Sequence, residues 1–168
     1  DYAYIPANTQ RDIVTSFLPG WTGTRAWILA RPMSGFAESF AQYAIEIDPE
    51  GGSDTPEPDL DAQALLFVAY GTARLTLGRD FYDLVPGSYV YIPPSAIWTL
   101  FNTGDTPCGV HWIRKRHVPA PGLGLAEAFV THEREVAAVP MGDAGQSWAT
   151  QRFVDPFDLR HDFHVNIV

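Results

Sequence analysis

The 168-residue sequence predicts an all-β fold, an antiparallel sandwich or barrel of short strands. Three observations carry that reading. Fourteen glycines and fourteen prolines divide the chain into short runs rich in β-branched and aromatic residues. Several runs alternate apolar and polar residues with a period of two, as half-buried strands do. One run, residues 64–70 (ALLFVAY), is apolar on both faces, the pattern of a strand buried inside a sandwich.

Taken in order, residues 25–30 (RAWILA) form a strand bounded by Gly23 and Pro32. Residues 39–48 place Ala41, Tyr43, Ile45 and Ile47 on one face and Gln42 and Glu46 on the other. Gly71 interrupts the doubly apolar run, and residues 72–77 then turn Ala73, Leu75 and Leu77 inward. Gly78-Arg79-Asp80 turns the chain into residues 81–84, and Val85-Pro86-Gly87 turns it again into residues 88–92 (SYVYI). Further strands are expected over 97–101 and 109–117. Within 124–139, Leu125, Ala128, Phe129, His132 and Val136 fall roughly on one helical face, but Thr131 and nearby glycines oppose a helix. A short helix or an irregular connection is expected there. Residues 141–148 read as a loop or linker. In the last run, 161–168, His161, Phe163, Val165 and Ile167 alternate with Asp162, His164, Asn166 and Val168. Such a strand must add to a sheet edge, because alone it leaves its backbone donors and acceptors unpaired.

Composition narrows the function classes. Hydrophobic residues at 46% and charged residues at 18% suit a chain that buries a real core, at a length that fits one domain with a short piece of a second. A net charge of -9, with Lys115 as the single lysine, opposes nucleic-acid binding, which needs cations for the phosphates. No apolar run approaches the roughly 20 residues of a membrane span, and no basic-then-apolar leader opens the chain, so no membrane partner and a cytoplasmic location are expected. Because the chain opens at Asp1 rather than methionine, a further N-terminal piece is expected. Cys108, the single cysteine, rules out an internal disulfide and reads as an inert buried thiol.

Two spaced motifs are more specific. Gly52 is followed after five residues by Pro58, then by Leu60, Ala64 and Gly71; Gly87 is followed by Pro93, Ser95, Trp98 and Asn102. These intervals resemble the two metal-binding motifs of cupin barrels, which place His-x-His and glutamate at positions 58, 60 and 64, and a final histidine at position 98. Imidazole and carboxylate lone pairs hold a divalent ion; proline, leucine, alanine and indole offer none. The frame is kept and the ligands are gone, so no metal is expected in this barrel, and apolar side chains are expected to fill the vacated pocket.

The longer stretches RDIVTSFLPGW, RAWILARPMSGFAESFAQYAIEI, SYVYIPP, HWIRKRHVP and FVDPFDLRHDFHVNIV resemble the N-terminal half of ureidoglycine aminohydrolases. These are bicupins of purine (allantoin) breakdown. The resemblance implies a cupin-type jelly-roll barrel over residues 1–140, with 141–168 a linker and the first strand of a truncated second cupin. It further implies that manganese sits in that C-terminal cupin, which converts (S)-ureidoglycine to ureidoglycolate and ammonia. The family's catalytic residues then have no matching positions here, and this half is structural, with the C-terminal cupin and further copies in a homo-oligomer as its partners. A metal-free cupin that binds a small ligand, or acts as a regulatory module, is the alternative.

Other candidates are weaker. Trp98 reads as a plug of the barrel, with Tyr89 and Tyr91 as companions that could line a remnant pocket. His161 and His164 lie on opposite faces of a strand and cannot share an ion. His111, His117 and His132 are scattered and read as surface or satisfied polar residues. Asp54, Glu57, Asp59 and Asp61 lack the glycine and terminal glutamate of a calcium loop and read as a solvated loop.

Overall fold

The computed structural model describes residues 17–32, 39–142 and 148–168. Its strands are β1 (Thr22–Ala30), β2 (Phe40–Ser53), β3 (Ala62–Tyr70), β4 (Ala73–Leu77), β5 (Asp80–Leu84), β6 (Ser88–Ile92), β7 (Trp98–Asn102), β8 (Cys108–Arg116), β9 (Phe129–His132), β10 (Ala138–Pro140), β11 (Ala149–Arg152) and β12 (Asn166–Ile167). Every strand expected before residue 118 is present within a residue or two of its expected ends, except that β1 and β2 run longer. All pairings are antiparallel, in the order β5-β4-β7-β2-β8-β3-β6-β9, with β1 on β2. This is a nearly closed cupin jelly-roll barrel. No described helix is long and apolar enough to cross a membrane.

The extra length of β2 closes the barrel. Residues 40–47 pair with β8, whereas Gly52 and Ser53 pair with β7, so one strand joins the two halves of the barrel. The corner between them carries positive φ at Glu50 and Gly52, a local bend that a regular ladder could not make. The period-two pattern then decides what is enclosed. Ile45, Ile47, Leu66, Val68, Leu75, Val90, Leu100 and Val110 are buried together inside the barrel.

The segment 124–139 contains no α-helix. Residues 129–132 form β9 on the edge of β6, pairing Phe129 with Tyr91 and His132 with Ser88, and a 3-10 turn follows at Glu133–Glu135. The open edge of β6 offers backbone partners, and Phe129 stacks on Tyr89 and Tyr91 at 6.0 and 5.8 Å. These tertiary contacts override a weak helical periodicity.

The tail corrects a second expectation. Only Asn166–Ile167 is a strand, and it pairs with β11 in a small sheet with β10, not as a regular run from residue 161. Before it, the chain lies against the outer face of the barrel, where Phe153, Phe163 and Val165 pack on Leu65, Tyr89 and Ile113. Strand alternation fails over 161–165 because His161 and Asp162, which it would send to opposite faces, both turn toward the barrel. Part of residues 148–168 therefore covers the barrel, while most of the linker expected over 141–148 lies outside the described residues.

Candidate functional site

The motif frame is kept for reasons that need no ion. At Gly52, where φ is +150°, a Cβ would lie 2.1 Å from the Leu100 carbonyl oxygen, so only glycine lets β2 cross β7 there. Gly87 holds its turn at φ +91° and donates its N–H to Val68 O at 2.9 Å. The Asn102 amide donates to Ile47 O at 2.9 Å and Thr106 O at 2.8 Å, while its Oδ1 accepts from Gly104 N–H at 2.8 Å. These are fold-closing contacts, and they persist when the ligands do not.

The four ligand positions have diverged in space as well as in chemistry. Ala64 and Trp98 are buried in the core, and the Trp98 indole meets Trp112 edge to face at 6.2 Å. Leu60 does not fill the pocket as expected; it is 66% exposed. Ser95 donates both its N–H and its hydroxyl to the Leu60 carbonyl, at 2.8 and 3.1 Å, which fixes this turn with the side chain outward. Pro58 is exposed as well.

A charge pair that sequence reasoning missed occupies this end of the barrel. Ala64, at the position of the missing glutamate, lies opposite Arg114 of β8, and directly paired residues share a face. The Arg114 guanidinium binds Glu57 through Nε and Nη2, each at 2.5 Å, and its Cζ lies 5.8 Å from the centre of the Trp112 ring. The Glu57 side chain is only 4% exposed. Asp59 and Asp61 bind Arg116 at 2.9 and 3.7 Å. Most of the acidic loop is thus not simply solvated: Arg114 and Arg116, two apart on β8, point at it together. A fixed cation beside donor-free positions does not fit a divalent ion, and among the described residues no three His, Cys, Asp or Glu side chains converge to hold one.

Trp112 is the hub of the inner aromatics, with Tyr43 at 5.3 Å and Trp21 at 5.7 Å. Tyr89 and Tyr91 do not join Trp98 there. They lie on the opposite face of the sheet, under the tail. The Tyr89 ring stacks parallel on Phe153 at 3.9 Å, and the Tyr91 ring meets His161 edge-on at 4.5 Å. Tyr91 donates to Gln63 Oε1 at 3.0 Å, and burial, with Asp162 and Asp158 nearby, pushes its hydroxyl up to about 12. The β6 alternation that put both tyrosines on one face was legible; which face was not.

Beside Tyr91, Asp162 reaches back from the tail. It accepts from Gln63, from the Lys115 ammonium and from the Val118 N–H at 2.8 Å, with His117 Nδ1 3.5 Å away. Cys108 is fully buried, and burial pushes its thiol up to about 11, which keeps it protonated and inert.

The histidines give a pH signature. His111 lies in the cross-strand row between Ala44 and Phe67, and burial holds its imidazole below the usual range. Burial does the same to His161, more than Asp158 offsets. A lowered folded pKa means that the unfolded chain binds the proton first, so stability is lost as pH falls through the unfolded value near 6.5. Urea midpoints are expected to fall between about pH 7 and pH 5, and to fall less in His111→Leu. A flat profile in the wild type contradicts this.

Residues 44–114, which span both motifs, match the Cupin domain family model. Over 114 residues, 68% of this chain, the sequence is 25% identical to (S)-ureidoglycine aminohydrolase of Escherichia coli (strain K12), spanning 43% of that protein. A Pseudomonas aeruginosa crystal structure, provisionally described as a glyoxylate-induced protein, matches 96% of the chain at 49% identity and a TM-score of 0.90, and 61% of it is covered. The E. coli protein Ylba shares the fold over 93% of the chain at 21% identity and a TM-score of 0.80, with 60% of it covered. The chain therefore spans roughly two fifths to three fifths of each of these relatives.

Proposed function

We propose that this chain is the metal-free, non-catalytic barrel of a two-barrel (S)-ureidoglycine aminohydrolase. The observation that carries the proposal is a preserved motif frame without ligands, in a chain that resembles part of the E. coli enzyme. Asn102 and the motif glycines close the barrel, while Trp98 and Ala64 lie in the core where a metal cupin would turn its donors. In this reading manganese and the hydrolysis of ureidoglycine belong to a second cupin, and no step of the reaction passes through the residues present. The barrel supports its catalytic neighbour and an interface between copies.

The test compares the 168-residue chain with the product of its full-length reading frame. The chain alone is expected to release no ammonia from ureidoglycine, with or without manganese, and to hold no stoichiometric metal after dialysis. The full-length protein is expected to release ammonia and to hold manganese. Manganese-dependent turnover by the isolated chain overturns the reading, and so does a full-length frame with no second cupin, which would favour a ligand-binding module.

A further inference from the structure

The mouth of this barrel holds a cavity of about 340 Å³ that the structural role does not use. Arg31, Arg114, Lys115 and Arg116 line it, with the aromatic Phe40 and Tyr43 and a single acidic side chain, Asp59. In a chain with 11 Lys and Arg against 20 Asp and Glu, four of the cations meet at one opening. Several of its walls are inward-facing. Ala41 lies opposite Arg114, Tyr43 opposite Trp112, and Ala62 opposite Arg116, each pair on one face of the sheet. The cavity thus adjoins the positions at which a metal cupin carries its ion.

We propose that this cavity binds a small carboxylate, with fixed guanidinium groups supplying the positive charge that an ion supplies in a metal cupin. The existing pairs leave donors for it. Arg114 uses Nε and Nη2 on Glu57, and Arg116 uses Nε and Nη2 on Asp59, with Asp61 also 3.7 Å from Nη2. Among the described residues no bond engages Nη1 of either. A guanidinium carries five N–H donors in a planar fork, so one carboxylate can be held while a second is accepted. The Glu57 and Asp59 pairs also fix the two arginines in place, which lowers the ordering cost of binding. Lys115 is committed to Asp162, which offsets its charge, so the two arginines carry the recognition.

The inference does not depend on the ureidoglycine reading, and its test does not use activity. Malonate is titrated by calorimetry into the purified chain, with malonamide as a neutral match of similar shape. Malonate is expected to bind and malonamide is not, with affinity falling as salt is raised. Arg116→Gln is expected to weaken malonate binding by about tenfold. Arg74→Gln, which breaks another exposed pair, with Asp83 on β4 and β5, is expected to leave it unchanged. Arg116 is 70% exposed, so its replacement leaves the fold intact, which circular dichroism checks. No malonate binding, equal binding of malonamide, or equal loss in the two variants overturns the proposal; the last outcome would mean an adventitious ion only.

Discussion

Trp98→Ala is expected to destabilise the chain by about 3–5 kcal/mol, among the largest effects a single truncation can have. The indole is 4% exposed, lies opposite Leu77 in the β4–β7 ladder, and closes an aromatic cluster with Trp112. Removing it opens a void inside a barrel whose β7 is held by β2 and β4, so the site cannot collapse to fill it. Urea denaturation followed by fluorescence or circular dichroism measures the loss, and a change below about 1 kcal/mol contradicts the assignment of Trp98 as a core plug. The companion variant Trp98→His restores the family's fourth ligand and tests the metal reading directly. It is expected to lose stability and to gain none from manganese or zinc, because Pro58, Leu60 and Ala64 still offer no lone pair. A metal-dependent rise in its melting temperature would show ligand binding to the native state, and so a site that the side-chain chemistry does not account for.

Asp162→Ala is expected to cost a comparable amount, about 3–5 kcal/mol, for a different reason. Its side chain is 13% exposed and that of Lys115 is 11% exposed, so deletion leaves an ammonium and the Gln63 amide buried without their acceptor. The same carboxylate ties the tail to the barrel. Hydrogen exchange at Asn166 and Ile167 is therefore expected to accelerate in the variant, and deleting residues 161–168 is expected to cost at least as much. Burial raises the Asp162 pKa, but the bonds from Lys115, the Val118 amide and Gln63 outweigh it and hold the group below the usual range. A lowered folded pKa gives stability that is present above the unfolded value near 3.9 and lost as pH falls below it. The difference between wild type and Asp162→Ala is thus expected to shrink below about pH 4. An equal difference at all pH values, or unchanged exchange in the tail, contradicts the anchoring role.

The sequence by itself determined the strands of the barrel and the loss of its ligands. Both are local properties: period-two patterning tells which residues share a face, and lone-pair chemistry is a property of each side chain. It also determined that Tyr89 and Tyr91 share a face and that Trp98 serves burial. The tertiary structure decided what those faces meet. Glu57, Asp59 and Asp61 looked like a solvated loop because their partners Arg114 and Arg116 are more than fifty residues away and meet them only when β3 and β8 pair. Residues 124–139 had a weak helical stripe, and the free edge of β6 made a strand of part of it. Residues 161–165 alternated like a strand, but a carboxylate with three donors waiting for it on the barrel turned the chain before β12 could begin. Where the outcome depended on spacing along the chain, the sequence held it. Where it depended on one side chain finding a distant partner of opposite charge or an open strand edge, only the folded barrel could decide, because those energies exist only once the two segments are brought together.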